Sequence, residues 1–291
     1  MAIPLVGQEA SERILPGWLR TIVLALLLVF ALVPVAYVIL ASVSSDVDVA
    51  AGNVWPKTFN FGNYTKIWHT VPLARGLANS LLVAGTVAVV SSLLASAAAY
   101  FLVRYEFRGR LTALRGLVGL QSIPGSLLLV PLFVLFSTFS AQTGIKVVST
   151  TWGLILTYLT FALPFATWVL VTYMRGLPKE LDEAARIDGA SSFRLFTRII
   201  LPLSWPGIIV AGVFSFLLGW NDFMFASIMT NPNSRTAAVV LQVFGSSSEG
   251  GALPPYGQLM AAALVCAIPV VVLYLGFQRF LVTGLTSGSV K

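Results

Sequence analysis

The chain has 291 residues, of which 57% are hydrophobic and only 10% charged, with a mean hydropathy of +0.88 and a formal net charge of +7. Soluble globular domains carry about 25% charged residues, so this composition excludes one and places the chain in a bilayer. The basic excess is that of membrane-protein loops, which collect Lys and Arg on one side, and no nucleic-acid partner is expected.

A spanning helix needs about 20 mostly apolar residues, and open sheet cannot cross lipid. Six segments satisfy this in chain order: Leu19–Ala41, Asn79–Val103, Leu114–Thr138, Trp152–Met174, Ile208–Met229 and Leu259–Leu281. The first run is long enough to span, and no convincing small-residue cleavage site follows it, so it reads as a span and not as a secretory signal. Trp18 and Trp152 begin spans and fit the interfacial aromatic belt. Pro34, Pro124, Pro164 and Pro269 are expected to interrupt or kink the spans that hold them. The long connections are Ser42–Ala78, Arg175–Gly207 and Thr230–Gln258, and the last, with SSSEGG and a Pro-Pro pair, reads as an irregular loop. The fold class is therefore all-α and polytopic, a single transmembrane domain over residues 1–291.

Charge sets the expected orientation. Thirteen of the eighteen basic residues fall on one side, including Arg104, Arg108, Arg110, Arg115, Arg175, Arg194 and Arg198, against five on the other. The richer side is cytoplasmic by the positive-inside rule, which puts both termini and residues 175–207 inside.

The segment Leu177–Pro202 reads as helix, turn, helix. Pro178 suits a first helical position, and Glu180, Asp182 and Glu183 favour a helix N-terminus. Gly189 can take the left-handed conformation that ends the helix, and Ser191 or Ser192 can cap the next one. Phe193, Phe196 and Ile200 share a face by i, i+3, i+7 spacing. Taken by itself, this pattern describes an amphipathic hairpin lying on the membrane surface. Glu183, Ala184 and Ala185, with Gly189 beyond, also describe a small charged knob able to enter another protein's groove.

The spaced set Glu183, Ala184, Ala185, Gly189, Ile199, Leu201 and Pro202 resembles the EAA loop of permease subunits of ATP-binding-cassette (ABC) importers. Pro124 with Pro131-Leu132-Phe133, the triplet Trp220-Asn221-Asp222, and the ending QRFLVTGLTSGSVK narrow the resemblance to carbohydrate-uptake permeases of the maltose-transporter type. The resemblance covers essentially the whole chain. It implies a type I importer permease of the bacterial or archaeal cytoplasmic membrane. The implied partners are a second, homologous permease subunit, two ATP-binding subunits and an extracytoplasmic solute-binding protein. It assigns ATPase coupling to Glu183, Ala184, Ala185, Asp188, Gly189, Phe193, Ile199, Leu201 and Pro202. It places Gly284, Leu285, Thr286 and Gly288 of the tail at the ATPase interface. ATP and magnesium belong to the partner ATPase, and no cofactor is expected on this chain. No GxxxxGK[ST] phosphate loop occurs in the sequence.

The candidate pathway or gate residues are Gln121, Ser122, Pro124, Asn221 and Asp222. Asp222 is the one acid inside an expected span, and intramembrane acids default to function. Structural hydrogen bonding is the preferred reading, with substrate or gate contact and proton coupling as alternatives. Gln121, Ser122 and Ser126 either line the pathway or satisfy backbone groups freed by Pro124. One histidine, His69, and one cysteine, Cys266, on separate segments make neither a metal site nor a nucleophile–base pair. The expected cargo is a disaccharide such as trehalose or a maltose-like sugar. Amino sugars and glycerophosphodiesters are the alternatives among solutes, and a secondary transporter is the alternative in mechanism.

Overall fold

The computed structural model describes residues 16–246 and 254–286, with side chains through Leu281. Among them are fourteen α-helical segments and no strand. In order these are α1 (Gly17–Ser42), α2 (Asp46–Ala50), α3 (Asn63–Thr70), α4 (Leu73–Arg104), α5 (Arg110–Gln121), α6 (Leu129–Thr143) and α7 (Thr151–Arg175). Then follow α8 (Glu180–Ile187), α9 (Ser192–Leu195), α10 (Leu201–Leu203), α11 (Trp205–Asn221), α12 (Met224–Met229), α13 (Ala237–Ser246) and α14 (Tyr256–Thr286).

Helices α1, α4, α7 and α14, and the stretch Gly125–Thr143, are long and apolar enough to cross a bilayer. A helix pair bent by 73°, Ser192–Leu203 with Trp205–Asn221, makes a sixth when it is counted as one broken span. Two expected spans are not single helices. The third, expected over Leu114–Thr138, stops at Gln121 and restarts after Pro124 as a 3₁₀ turn (Gly125–Leu128) leading into α6. Proline lacks the N–H and disfavours helix in the residue before it. The fifth, expected over Ile208–Met229, breaks at Asp222 and resumes as α12. Pro34, Pro164 and Pro269 sit inside helices that continue through them, so only Pro124 interrupts a span.

The core is α4 packed on α7 and α11. Helix α4 makes this possible with a face of small residues, Ser80, Ala84, Ser91, Ala95 and Ala99, all buried. Lipid tails give no hydrophobic drive between helices, so close backbone approach and dispersion must hold them together. At Gly219 of α11 an added methyl would lie 3.3 Å from both the Ala84 Cα and the Tyr158 ring. At Gly207 it would lie 2.7 Å from the Tyr173 ring. Helix α14 packs on α1 and α11, whereas α1 leaves its apolar side chains exposed along most of its length.

One end of the bundle carries residues 104–115 and 175–207, and is called here the basic end. The opposite end is built from α2, α3 and α13. The connection 230–258, expected to be irregular, contains α13, because Ser80 Oγ of α4 accepts the Ala237 N–H at 2.8 Å and caps it from outside. The Asn63 amide donates to the Ser42 and Ser44 carbonyls at 2.9 and 3.0 Å, closing the end of α1. Asp46 Oδ1 accepts the Gly257 N–H at 2.9 Å, placing a carboxylate at the positive start of α14. The Asp48 carboxyl is held below the usual carboxylate range, chiefly by the Ser45 hydroxyl at 2.8 Å, with help from the Asn53 amide and against the opposing effect of burial.

Candidate functional site

The hairpin at the basic end is fastened to the bundle by an ion pair. Arg104 Nε, in the last turn of α4, lies 2.9 Å from Asp182 Oδ2 of α8, and both side chains are largely buried. Removing one partner of such a pair costs about 3–5 kcal/mol, because the other charge stays buried. The Arg104 guanidinium also faces the Leu177 and Pro178 carbonyls at 3.5 Å. That stretch is therefore held against α4 in a non-helical form. Pro178, expected at the first helical position, instead precedes the helix, which begins at Glu180 with Lys179 as its N-cap.

Helix α8 ends at a left-handed glycine. Gly189 has φ +74°, its N–H bonds to the Arg186 carbonyl at 3.1 Å, and the Ala190 N–H bonds back to Ala185 at 2.9 Å. These two bonds make a Schellman motif, which satisfies carbonyls the helix end would otherwise orphan. Of the two serines, Ser191 is the cap, its hydroxyl accepting the Arg194 N–H at 3.3 Å.

The chain then departs from the expected face. Residues Phe196–Ile200 form a π-helical turn, which adds a residue to the turn and shifts every later side chain. Leu195 and Ile200 are buried, Phe196 packs its ring 4.9 Å from Tyr100, and Phe193 is 75% exposed. Phe193, Phe196 and Ile200 therefore do not share one face. The alanines divide as well: Ala185 is 5% exposed and packs on the chain's own core, while Ala184 faces outward. Ile199 and Leu201 pack against that same core.

The outward surface of the hairpin thus comprises Glu183, Ala184, Asp188, Gly189, Phe193 and Pro202. Ile187, 86% exposed, belongs with them and was not singled out by sequence pattern. Beside this surface is a polar hollow of about 170 Å³, lined by Arg104, Glu106, Arg110, Lys179, Asp182 and Glu183 among others.

The two span breaks hold the pathway candidates. Gln121 and Ser122 are exposed and bond back to the Leu117 and Val118 carbonyls at 3.4 Å. Pro124 is also exposed. At the other break Asp222 Oδ1 accepts three bonds: the Tyr158 hydroxyl at 2.8 Å, the Phe225 N–H at 3.0 Å and the Ala226 N–H at 3.1 Å. One oxygen therefore starts α12 and ties it to α7. Asn221 beside it points outward and takes no part. The two breaks are not one cluster, but Gly125 brings them close: a methyl there would lie 3.7 Å from Phe161 and 3.8 Å from Phe225.

Gly284, Leu285 and Thr286 fall in the last turns of α14, and Gly288 lies outside the described residues, as does most of the SSSEGG stretch. His69 is exposed on α3, and no group of three His, Cys, Asp or Glu among the described residues could hold a metal.

A bundle of spanning helices with a fastened helical hairpin at one end and two broken spans is the architecture of a multi-pass membrane permease. It is shared with a bacterial ABC transporter involved in the import of the acidic polysaccharide alginate, at TM-score 0.73 and 19% identity, covering 95% of this chain and 99% of that one. The profile of the family described as "Binding-protein-dependent transport system inner membrane component" matches residues 91–287, and the chain belongs to that family of ABC importer permeases. It is 35% identical over 263 residues to the trehalose transport system permease protein SugB of Mycobacterium tuberculosis, covering 90% of this chain and 93% of the relative. It is 34% identical over 284 residues to the trehalose/maltose transport system permease protein MalG of Thermococcus litoralis, covering 96% and 99%. The chain is accordingly a multi-pass protein of a bacterial or archaeal cytoplasmic membrane.

Proposed function

We propose that this chain is one transmembrane half of an ATP-driven importer for a carbohydrate of about disaccharide size, trehalose or a maltose-like sugar. The other half is a homologous permease, with two ATP-binding subunits at the basic end and a solute-binding protein at the opposite end. The basic end is cytoplasmic, where both termini also lie. The names of the relatives at about one-third identity support the sugar class. The observation that carries the coupling role is the hairpin itself. It is fastened from behind by Arg104–Asp182 and Ala185, yet leaves Ile187, Asp188 and Phe193 uncovered around a rigid glycine turn.

That arrangement suits a mechanical link. A force applied at the tip is transmitted through a buried ion pair and a packed core to α4, α7 and α11. ATP then favours the outward-facing state to the extent that the closed ATPase dimer fits the hairpins of that state better. Glu183 is the exposed acid through which a basic group of the ATPase is held. The energy source is hydrolysed on the partner, and this chain supplies the path.

The test is reconstitution of the complex in vesicles with its binding protein. Uptake of labelled disaccharide must require ATP, and uptake that follows an ion gradient without ATP sinks the proposal. Within that assay Glu183→Lys should uncouple uptake from hydrolysis or release the ATPase. Loss of a charged hydrogen bond costs about 1.5–3 kcal/mol, and charge reversal adds repulsion. Normal uptake and normal ATPase retention by the Lys variant would remove Glu183 from the coupling surface.

A further inference from the structure

Helix α7 has two unlike faces. Tyr158, Ala162, Ala166, Leu170 and Met174 are buried in the core. A second stripe runs down the helix at intervals of four, three, four and three: Phe161, Phe165, Trp168, Thr172 and Arg175. That spacing keeps all five on one side. None of them is fully buried, and Trp168 is 43% exposed. The rings form two groups: Phe161 lies 5.1 Å from Phe225 of α12, and Phe165 lies 5.5 Å from Phe214 of α11 and 6.5 Å from Trp168, centroid to centroid.

The stripe is not an open surface along its whole length. Its lower half walls a crevice of about 360 Å³ against α5, which ends at Arg115 and Arg175. Neither guanidinium forms an ion pair with a carboxylate among the described residues. At its upper end lies the Pro124 break, with Gly125 against Phe161 and with exposed Gln121 and Ser122 one turn before. Polar groups at membrane depth face a bundle interior or a water-filled cavity. Flat apolar rings with two guanidinium groups at one end match the two sides of a sugar: C–H faces that stack and hydroxyls that need donors.

We propose that the Phe161–Phe165–Trp168 stripe of α7 is a carbohydrate-contact surface, along which pyranose rings pass between the Asp222 break and the basic end. It rests on the sugar-importer reading and adds that this chain itself touches the cargo.

The test compares leucine with tyrosine at Trp168 and Phe165 in the full reconstituted complex. Leucine satisfies lipid or helix packing, and only an aromatic ring satisfies a sugar face. Trp168→Leu and Phe165→Leu should assemble in normal yield but lower uptake about three- to tenfold, as expected for loss of one aromatic stacking contact. Trp168→Tyr and Phe165→Tyr should retain most uptake. Leucine variants that transport as well as the unaltered complex overturn the proposal, and so does an equal loss in the leucine and tyrosine variants. A second measurement places Trp168→Cys in a Cys266→Ser background and adds a water-soluble thiol reagent. Labelling in at least one nucleotide state is expected, and failure to label in every state overturns the proposal. If the unaltered complex imports no carbohydrate at all, the importer reading itself fails, an outcome distinct from any behaviour of these variants.

Discussion

The breaks in the third and fifth spans look alike in outline and differ in cause. At Ser122–Pro124 the helix stops because a donor is missing, and the side chains around it only bond back one turn, to Leu117 and Val118. At Asp222 the helix stops because a better acceptor is present, a carboxylate oxygen that collects two N–H groups of the next helix and the hydroxyl of Tyr158. The first is a local property of the backbone. The second is a tertiary joint between α7, α11 and α12. A passive break can bend at little cost, whereas a joint held by three hydrogen bonds keeps one geometry until all three are replaced.

The sharpest way to break this contrast is Asp222→Leu, the largest effect expected. It leaves the Tyr158 hydroxyl and two backbone N–H groups unpaired inside the bundle, each costing about 1–3 kcal/mol. The intact complex should be lost or should melt far below the unaltered one. Asp222→Asn keeps an acceptor oxygen in place and should preserve assembly and most uptake. Thermal melting of purified complex, with uptake measured at several external pH values, separates the two. If Asp222→Asn assembles fully and transports nothing, the charge itself has a role beyond the joint.

Gly189 provides an intermediate case, a helix end fixed by conformation alone. An added methyl meets nothing within 4 Å, so the only obstacle to a side chain is φ +74°. Left-handed backbone costs an L-residue about 1–2 kcal/mol, and a β-branched one is a severe misfit. Gly189→Val should therefore weaken uptake and ATPase retention while leaving insertion and the melting of the bundle nearly unchanged. Gly189→Asn, which tolerates this conformation, should largely restore both. Equal activity of the Val and wild-type complexes would show that the turn geometry is irrelevant to coupling.

These three stopping points also mark how far the sequence could be read. The spans were legible because apolar length is a one-dimensional property, and so was the turn at Gly189, where residue type and conformation coincide. The triplet at Asp222 was visible as an anomaly, but its resolution was not, because Tyr158 lies 64 residues away. Helix α13 was missed for the same reason: its cap, Ser80, comes from a span 157 residues earlier. The π turn at Phe196–Ile200 is invisible because no side chain announces it, and the extra residue in that turn takes Ile200 off the face that i, i+3, i+7 spacing would share with Phe193. The small-residue face of α4 is plain in SSLLASAAAY. Of the coupling set, the motif positions divide between outward residues and core residues, a distinction that only packing provides.

The smallest effect is expected at Pro124, and it bears most directly on what a passive break is for. Pro124→Ala restores one N–H and removes the steric bar on Ile123, so a helix can run from α5 towards α6. The break is exposed, Pro124 included. Stability should therefore change by no more than about 1 kcal/mol, the range of surface substitutions and proline effects without strain. Transport should respond more than stability. A straightened helix turns Gln121 and Ser122 relative to the Phe161–Phe225 ring pair, which a methyl at Gly125 would touch. Uptake should fall severalfold while melting stays put, a divergence that an inert kink cannot give. If uptake and melting both stay at wild-type values, the Pro124 break is an accommodation of the chain, and the contrast with Asp222 becomes one between a joint that matters and a bend that does not.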